Sequence, residues 1–211
     1  MVRPQTRLGF VLTLGAALAL ASPLDAQTTR RTETAVFAGG CFWGIEAVFD
    51  HTRGVISAVS GYSGGVTRNP SYEQVSEETT GHAESVRVTY DPSQITYQQL
   101  LEIFFAVHDP TQLNRQGPDV GTSYRSAVFY ANDEQKSAAQ AYVTQLTAEK
   151  RFPRTIATAI EPLKNFYEAE GYHQHYLASH TRQPYIVIND LPKLEHLKRT
   201  FPSLWRDEAT D

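Results

Sequence analysis

The sequence predicts an α+β fold: a two-layer, ferredoxin-like sandwich of the split βαβ kind, with extra elements at its C-terminal end. Two observations predict it. Six periodic segments between Thr34 and Ala131 follow one another as β-α-β-β-α-β. After them come a long helical pattern, a late strand and a polar, aromatic tail, too much chain for the six-element core alone. That order implies a sheet rich in antiparallel pairs with its helices on one face.

The first strand is "TAVFA", Thr34–Ala38, short and apolar enough to be buried on both faces. Next, "CFWGIEAVFD" places Phe42, Ile45 and Phe49 at helical intervals, so Cys41 falls at a strand-to-helix turn. "GVISAVSGYSGG" reads as a strand ending in a glycine-rich turn, and "ESVRVTYD" alternates Val86, Val88 and Tyr90 as a half-buried strand does. The clearest helix is "TYQQLLEIFFAVHDP". Thr96 and Gln99 have capping-box spacing, Leu100, Ile103, Phe104 and Val107 share a face, and Pro110 closes it. "SAVFYA" is the sixth element. A helix capped near Asn132 and running to about Phe152 follows, then a strand at "TIATAIE". In the tail, "DLPKLEHLKRTF" has the pattern of a closing helix.

The N-terminus stands apart. Arg3 and Arg7 precede an apolar run from Leu8 to Ala21, and Ser22, Pro23 and Ala26 follow it. This is the make-up of a signal peptide over residues 1–26. The run of 14 residues is short of the ~20 that a membrane span needs. Cleavage after Ala26 is expected, with Ala21 as the alternative, and an uncleaved leader would act as an anchor. Residues 27–211 then form one domain in an exported, periplasmic protein. The chain has a formal charge of −4. Loss of the leader's two arginines and one aspartate makes it slightly more negative, which does not suit nucleic acid.

Cys41 is the only cysteine among 211 residues. An exported protein with a lone cysteine has no internal disulfide, so the thiol is a core residue, an intermolecular link or a reactive group. A helix N-terminus favours the thiolate through its free N–H groups and dipole, which predicts a lowered pKa here. Phe42 and Trp43 supply an apolar wall beside the sulfur. As a plain core cysteine, Cys41 would need no such setting.

"GGCFWG" resembles the signature of the A-type peptide methionine sulfoxide reductases, in their single-cysteine form. "GYSGG", "NPSYEQV", "TGHAESV", "VTYDP", "FFAVHDPTQLNRQGPDVGTSYRS" and "FYEAEGYHQHYL" fit the same family in the same order. The resemblance implies reduction of the S epimer of methionine sulfoxide, free or in proteins, for the repair of oxidised proteins. It makes Cys41 the nucleophile, left as a sulfenic acid, and Glu84 the acid. Protonating a sulfoxide oxygen needs a carboxyl that keeps its proton near neutral pH, which burial provides. Tyr72 and Tyr124 match the phenols that point at the sulfoxide oxygen. Asp119 matches the aspartate that helps hold the thiol and a water, and Phe42 with Trp43 the methyl pocket. Tyr185 stands where the family's tail aromatic would, and His82 receives no chemical role. No cofactor is implied. Many relatives carry resolving cysteines in the tail and this chain has none. Recycling therefore falls to an outside thiol: a thioredoxin-like protein, glutaredoxin with glutathione, or a small thiol.

Three other readings compete. A cysteine hydrolase would pair Cys41 with His82, His108 or His173. A metal module would use His173 and His175 with Glu168 and Glu170, at a spacing that matches no common site closely. A binder of oxidised surfaces would keep the aromatic pocket without turnover.

Overall fold

The computed structural model describes residues 1–2 and 31–210. The proposed leader lies outside the described residues. The elements are β1 (Glu33–Gly39), α1 (Phe42–Asp50), β2 (Val55–Ser63), α2 (Tyr72–Ser76), β3 (Ala83–Tyr90), α3 (Tyr97–Val107), a hairpin of β4 (Arg115–Gln116) and β5 (Asp119–Val120), β6 (Ser126–Tyr130), α4 (Asp133–Ala148), β7 (Ala159–Pro162), β8 (Phe166–Glu168), α5 (Tyr176–Ser179) and α6 (Leu191–Thr200). A π-helical turn, Ile186–Asp190, leads directly into α6. No helix among the described residues is long and apolar enough to cross a membrane.

The architecture is α+β. Six strands form one sheet in the order β7-β6-β1-β3-β2-β8. Every neighbouring pair is antiparallel except β6 with β7. Strand β1 lies inside the sheet and is covered on both faces. Ala35 and Phe37 point into the large core beneath the helices, while Val36 and Ala38 join Ala127 and Phe129 in a smaller cluster on the other face. Both faces being covered is why "TAVFA" is a continuous apolar run. Phe37 stacks between Phe49 of α1 and Phe104 of α3, with centroids at 5.4 and 4.9 Å.

Caps set the helix starts as the sequence indicates. Thr96 and Gln99 form the capping box of α3, and Asn132 accepts from the Gln135 N–H at 2.8 Å to start α4. Two boundaries differ from expectation. Helix α4 stops at Ala148 because Lys150 takes a left-handed φ of 52°. The Arg151 N–H then turns back to the Leu146 carbonyl, as a Schellman closure does. Strand β7 begins only at Ala159, because the Ala157 N–H is committed to the Pro110 carbonyl outside the sheet.

The tail wraps back over α1. Helix α6 buries Leu194 and Leu197, and the Arg206 guanidinium donates two hydrogen bonds, at 2.9 and 2.8 Å, to the Asp50 carbonyl. A cation on the last carbonyls of a helix opposes its dipole favourably. On the inner side of α1, Glu46 and Asp50 face His175, whose backbone N–H donates to Glu46 at 2.9 Å. Its ring Nδ1 lies 3.0 Å from Asp50.

Burial, then the neighbouring Asp50, pushes the Glu46 carboxyl up from its ordinary 4.5 to about 8. The folded state thus holds a proton that the unfolded chain gives up, so stability falls as pH rises from about 4.5 to about 8. The steepest loss from one such group is about 1.4 kcal/mol per pH unit. Glu46→Gln removes this loss. Urea titrations from pH 5 to 9 are expected to give a shallower decline for Glu46→Gln than for the native chain. Parallel curves would refute the assignment.

Candidate active site

The site is built on the turn between β1 and α1. Gly40 has φ +90°, and a Cβ there would lie 2.5 Å from the Gln116 side chain. Only glycine fits both demands. The turn delivers Cys41 as the N-cap residue of α1, buried and free of any disulfide. One residue on, the Phe42 N–H donates to Glu84 Oε2 at 3.0 Å. Glu84 projects from β3 and is 3% exposed. A helix N-terminus thus holds the thiol and the carboxyl side by side.

The electrostatics correct the expectation of a lowered thiol pKa. Burial pushes Cys41 well above its ordinary value, and Glu84 and Asp190 push it the same way. Lys193 and the Trp43 N–H oppose this without reversing it. The dipole is present, but loss of hydration outweighs it. The expectation of a raised acid holds: burial lifts Glu84 to about 8, with Asp119, Asp190 and Glu78 adding to it and the Phe42 N–H opposing. At neutral pH thiol and acid are both uncharged.

The predicted phenols ring this pair. Tyr72 opens α2, with its backbone N–H on Glu170 Oε1 at 2.9 Å. Tyr124 ends the 3-10 turn Thr122–Tyr124. Burial raises both hydroxyls first, and both also feel the Glu84 and Cys41 charges. Glu78 ties the two loops together. It accepts from the Ser123 N–H at 3.1 Å, from the Ser123 hydroxyl at 2.5 Å and from the Thr122 hydroxyl. Asp119 lies on β5 and accepts the Tyr185 O–H. Tyr185 also stands edge-on to Trp43, with ring centroids 6.1 Å apart.

Phe42 and Trp43 form one wall, their centroids 6.4 Å apart. Two of its residues escaped the sequence reading. His173 Nδ1 accepts from Trp43 Nε1 at 3.1 Å, and its ring meets Phe42 at 5.0 Å and Tyr72 at 4.5 Å. Tyr176 stacks on Trp43 at 3.9 Å. The family motif "FYEAEGYHQHYL" includes both, yet nothing in that stretch marks these two rings as neighbours of Trp43.

The rival sites do not assemble. His82 takes the Gly65 N–H on Nδ1 and meets the Thr67 carbonyl through Nε2, so it braces the glycine turn. His108 sits between the Phe104 carbonyl and Ser126. No hydrogen bond among the described residues joins a histidine to Cys41. The proposed metal set disperses: Glu168 pairs with Arg87, Glu170 holds Tyr62 and Tyr72, and His173 joins the aromatic wall. One group among the described residues, Glu46, Asp50 and His175, brings ligand-type atoms within 4.8 Å of one another. Here the His175 backbone N–H donates to Glu46, the His175 ring meets Asp50 and the Thr210 hydroxyl donates to Asp50, forming a brace for α1.

A neutral thiol and a proton-holding acid thus lie together at the start of α1, next to an aromatic wall. Comparison with known proteins gives the family. A family model described as peptide methionine sulfoxide reductase matches residues 33–204. The peptide methionine sulfoxide reductase MsrA 2 of Mesorhizobium japonicum is 54% identical over 186 residues, 88% of this chain and 95% of its own. Reduced Mxr1 from Saccharomyces cerevisiae superposes with a TM-score of 0.69 at 35% identity, over 72% of this chain and 88% of that one. Mxr1 in complex with Trx2 superposes with a TM-score of 0.50 at 26% identity, over 70% and 86%. The chain belongs to the peptide methionine sulfoxide reductase family. It is an oxidoreductase that reduces methionine sulfoxide and so serves protein repair.

Glu78 makes the site's geometry testable away from the chemistry. Glu78→Ala is expected to lower unfolding stability by about 1 kcal/mol, since Glu78 is exposed and water replaces part of the lost hydrogen bonding. Urea unfolding gives that number. Sulfoxide turnover is expected to fall with it, because the Tyr72 and Tyr124 loops lose their tie. Unchanged turnover at reduced stability would separate the tie from catalysis.

Proposed function

We propose that Cys41 is the nucleophile and Glu84 the acid in reduction of methionine-S-sulfoxide, peptide-bound or free. The observation that carries this is the single N–H of Phe42, which binds the Glu84 carboxyl one residue from the thiol. The Cys41 sulfur attacks the sulfoxide sulfur while Glu84 gives its proton to the sulfoxide oxygen. The thiol proton goes to the carboxylate in exchange. The S–O bond and the newly formed S–S bond then break: the protonated oxygen passes to the Cys41 sulfur, leaving a sulfenic acid, and the electron pair of the S–S bond leaves with methionine. The substrate sulfur is reduced by two electrons and Cys41 is oxidised by two. Tyr72 and Tyr124 donate to the oxygen without bringing charge into a dry pocket. Phe42 and Trp43 take the methyl group, and Asp119, held by Tyr185, steadies the thiol and a water.

Two outside thiols then reduce the sulfenic acid, releasing one water and leaving one disulfide on the donor. The one-cysteine sequence requires this. The Mxr1 complex with Trx2 supports a thioredoxin-like donor, with glutaredoxin and glutathione, or a small thiol, as the other sources. The antiparallel order β6-β1-β3-β2 supports the ferredoxin-like description of the core. Residues 1–26 act as a signal peptide and send one domain, 27–211, to the periplasm. An oxidising envelope holds few free thiols, so a dedicated donor there is part of the proposal.

With dithiothreitol as reductant, the chain from Gln27 is expected to turn over the S epimer of a sulfoxide peptide and not the R epimer. Cys41→Ser abolishes turnover, and Glu84→Gln lowers it about 10²- to 10⁴-fold, the span of general acid catalysis. Native activity declines as pH rises through about 8, where Glu84 loses its proton, and Glu84→Gln has no such limb. A native rate with Glu84→Gln would rule out the acid's role. For export, the mass of the chain recovered from the cell envelope is expected to start at Gln27 or Ser22. Recovery with Met1 intact would mean an anchor or no export.

A further inference from the structure

A buried ion pair stands behind the thiol. Asp190 closes the π-helical turn and is fully buried. Lys193, on the first turn of α6, places Nζ 2.7 Å from its Oδ1, and its side chain is 13% exposed. The other oxygen, Oδ2, is buried without a partner. The pair lies against Gly44: a Cβ there would be 2.2 Å from Asp190 Oδ1 and 2.8 Å from Lys193 Nζ. Gly44 is three residues beyond Cys41, so the two charges rest on the opening turn of α1.

A buried ion pair does not by itself favour the fold, since desolvating both ions cancels most of their attraction. An unpartnered carboxylate oxygen makes it worse. Apolar residues would fill the same space against Gly44 at no such cost. What the pair supplies, and apolar residues would not, is charge at a fixed distance from Cys41. The groups facing the thiol are Glu84 on β3, Tyr72 on α2, Tyr124 on its 3-10 turn, Tyr185 at the π-helical turn, Asp190 and Lys193. Asp119 adds a further carboxylate through Tyr185. Lys193 is the only cation in that set.

We infer that Asp190 and Lys193 form a positioning device that sets the reactivity of Cys41. The Lys193 ammonium admits negative charge on the attacking sulfur, while Asp190 pins the ammonium against Gly44 and offsets part of its field. The two residues pull the thiol in opposite directions although they belong to one ion pair. The inference rests on Cys41 being the reactive thiol, but its sign does not depend on the sulfoxide reaction.

The test is the pH dependence of Cys41 alkylation by iodoacetamide, followed by mass spectrometry on the native chain, Lys193→Met, Asp190→Asn, Lys193→Arg and the Lys193→Met, Asp190→Asn double variant. Thermal melts confirm that each is folded. Lys193→Met is expected to move the alkylation midpoint up by about one pH unit, a tenfold slower reaction at fixed pH. Asp190→Asn moves it down, the double variant returns near the native profile, and Lys193→Arg keeps it. A merely structural pair would shift both single variants the same way, and that result, or no shift, overturns the inference. If Lys193→Met does not fold, Asp190→Asn against Lys193→Arg still decides it: only a downward shift in the first, with the second unmoved, supports the device. Sulfoxide turnover is assayed in parallel. A native chain without it, but with the opposed shifts, would count against the reductase chemistry and leave the device standing.

Discussion

The rest of the site depends on one constraint: a thiol and a carboxylic acid share the buried start of α1. In so dry a place neither group charges readily: both lack water, the thiol also faces the Glu84 anion, and the acid faces Asp119, Asp190 and Glu78. The ground state is therefore neutral. This inverts the usual route to a reactive cysteine, in which a helix N-terminus or a basic neighbour holds a standing thiolate. Here the Phe42 N–H binds the acid, and the Trp43 N–H and Lys193 do not outweigh the lost hydration of the sulfur. A sulfoxide is a poor electrophile until its oxygen is protonated, so keeping the acid charged with its proton matters more than keeping the sulfur ionised.

That choice explains the surroundings. If the oxygen is to be bound without a standing charge, phenols suit it better than lysines or arginines, and Tyr72 and Tyr124 are what the loops present. Those loops are short of regular structure, so an anionic tether, Glu78, fixes one to the other. The aromatic wall is also tied down. Trp43 is only half-buried, yet it is stacked by Tyr176, met on edge by Tyr185 and hydrogen-bonded to His173. Pocket shape on the methyl side thus depends on the chain's last third, although the sulfur sits in its first.

This division also decides what could be read from the sequence. Local signals gave the elements well: "TAVFA" and "ESVRVTYD" became β1 and β3, and Thr96 and Asn132 capped the helices that follow them. The boundaries that failed were set by distant or conformational events, Ala157 bonding Pro110 and Lys150 turning left-handed. The site residues named from motifs, Cys41, Glu84, Tyr72, Tyr124, Asp119, Phe42 and Trp43, gather around one turn. His173 and Tyr176 were hidden because nothing in "HQHYL" says that this polar stretch packs against an indole. The pKa of the thiol was misjudged for a similar reason. A helix N-terminus is legible in sequence, whereas burial that outweighs its dipole is not.

The tail closes the argument. Residues from Tyr185 onward offer no resolving cysteine, and in this chain they do other work. Tyr185 engages Asp119, the π-helical turn brings Asp190 and Lys193 against Gly44, and Arg206 caps the far end of α1. A segment that carried a resolving thiol would have to stay mobile enough to reach the sulfenic acid. This one is packed into the helix that bears the nucleophile. On the proposed chemistry, a tail held in this way has no part in reducing the sulfenic acid and leaves that step to an outside thiol.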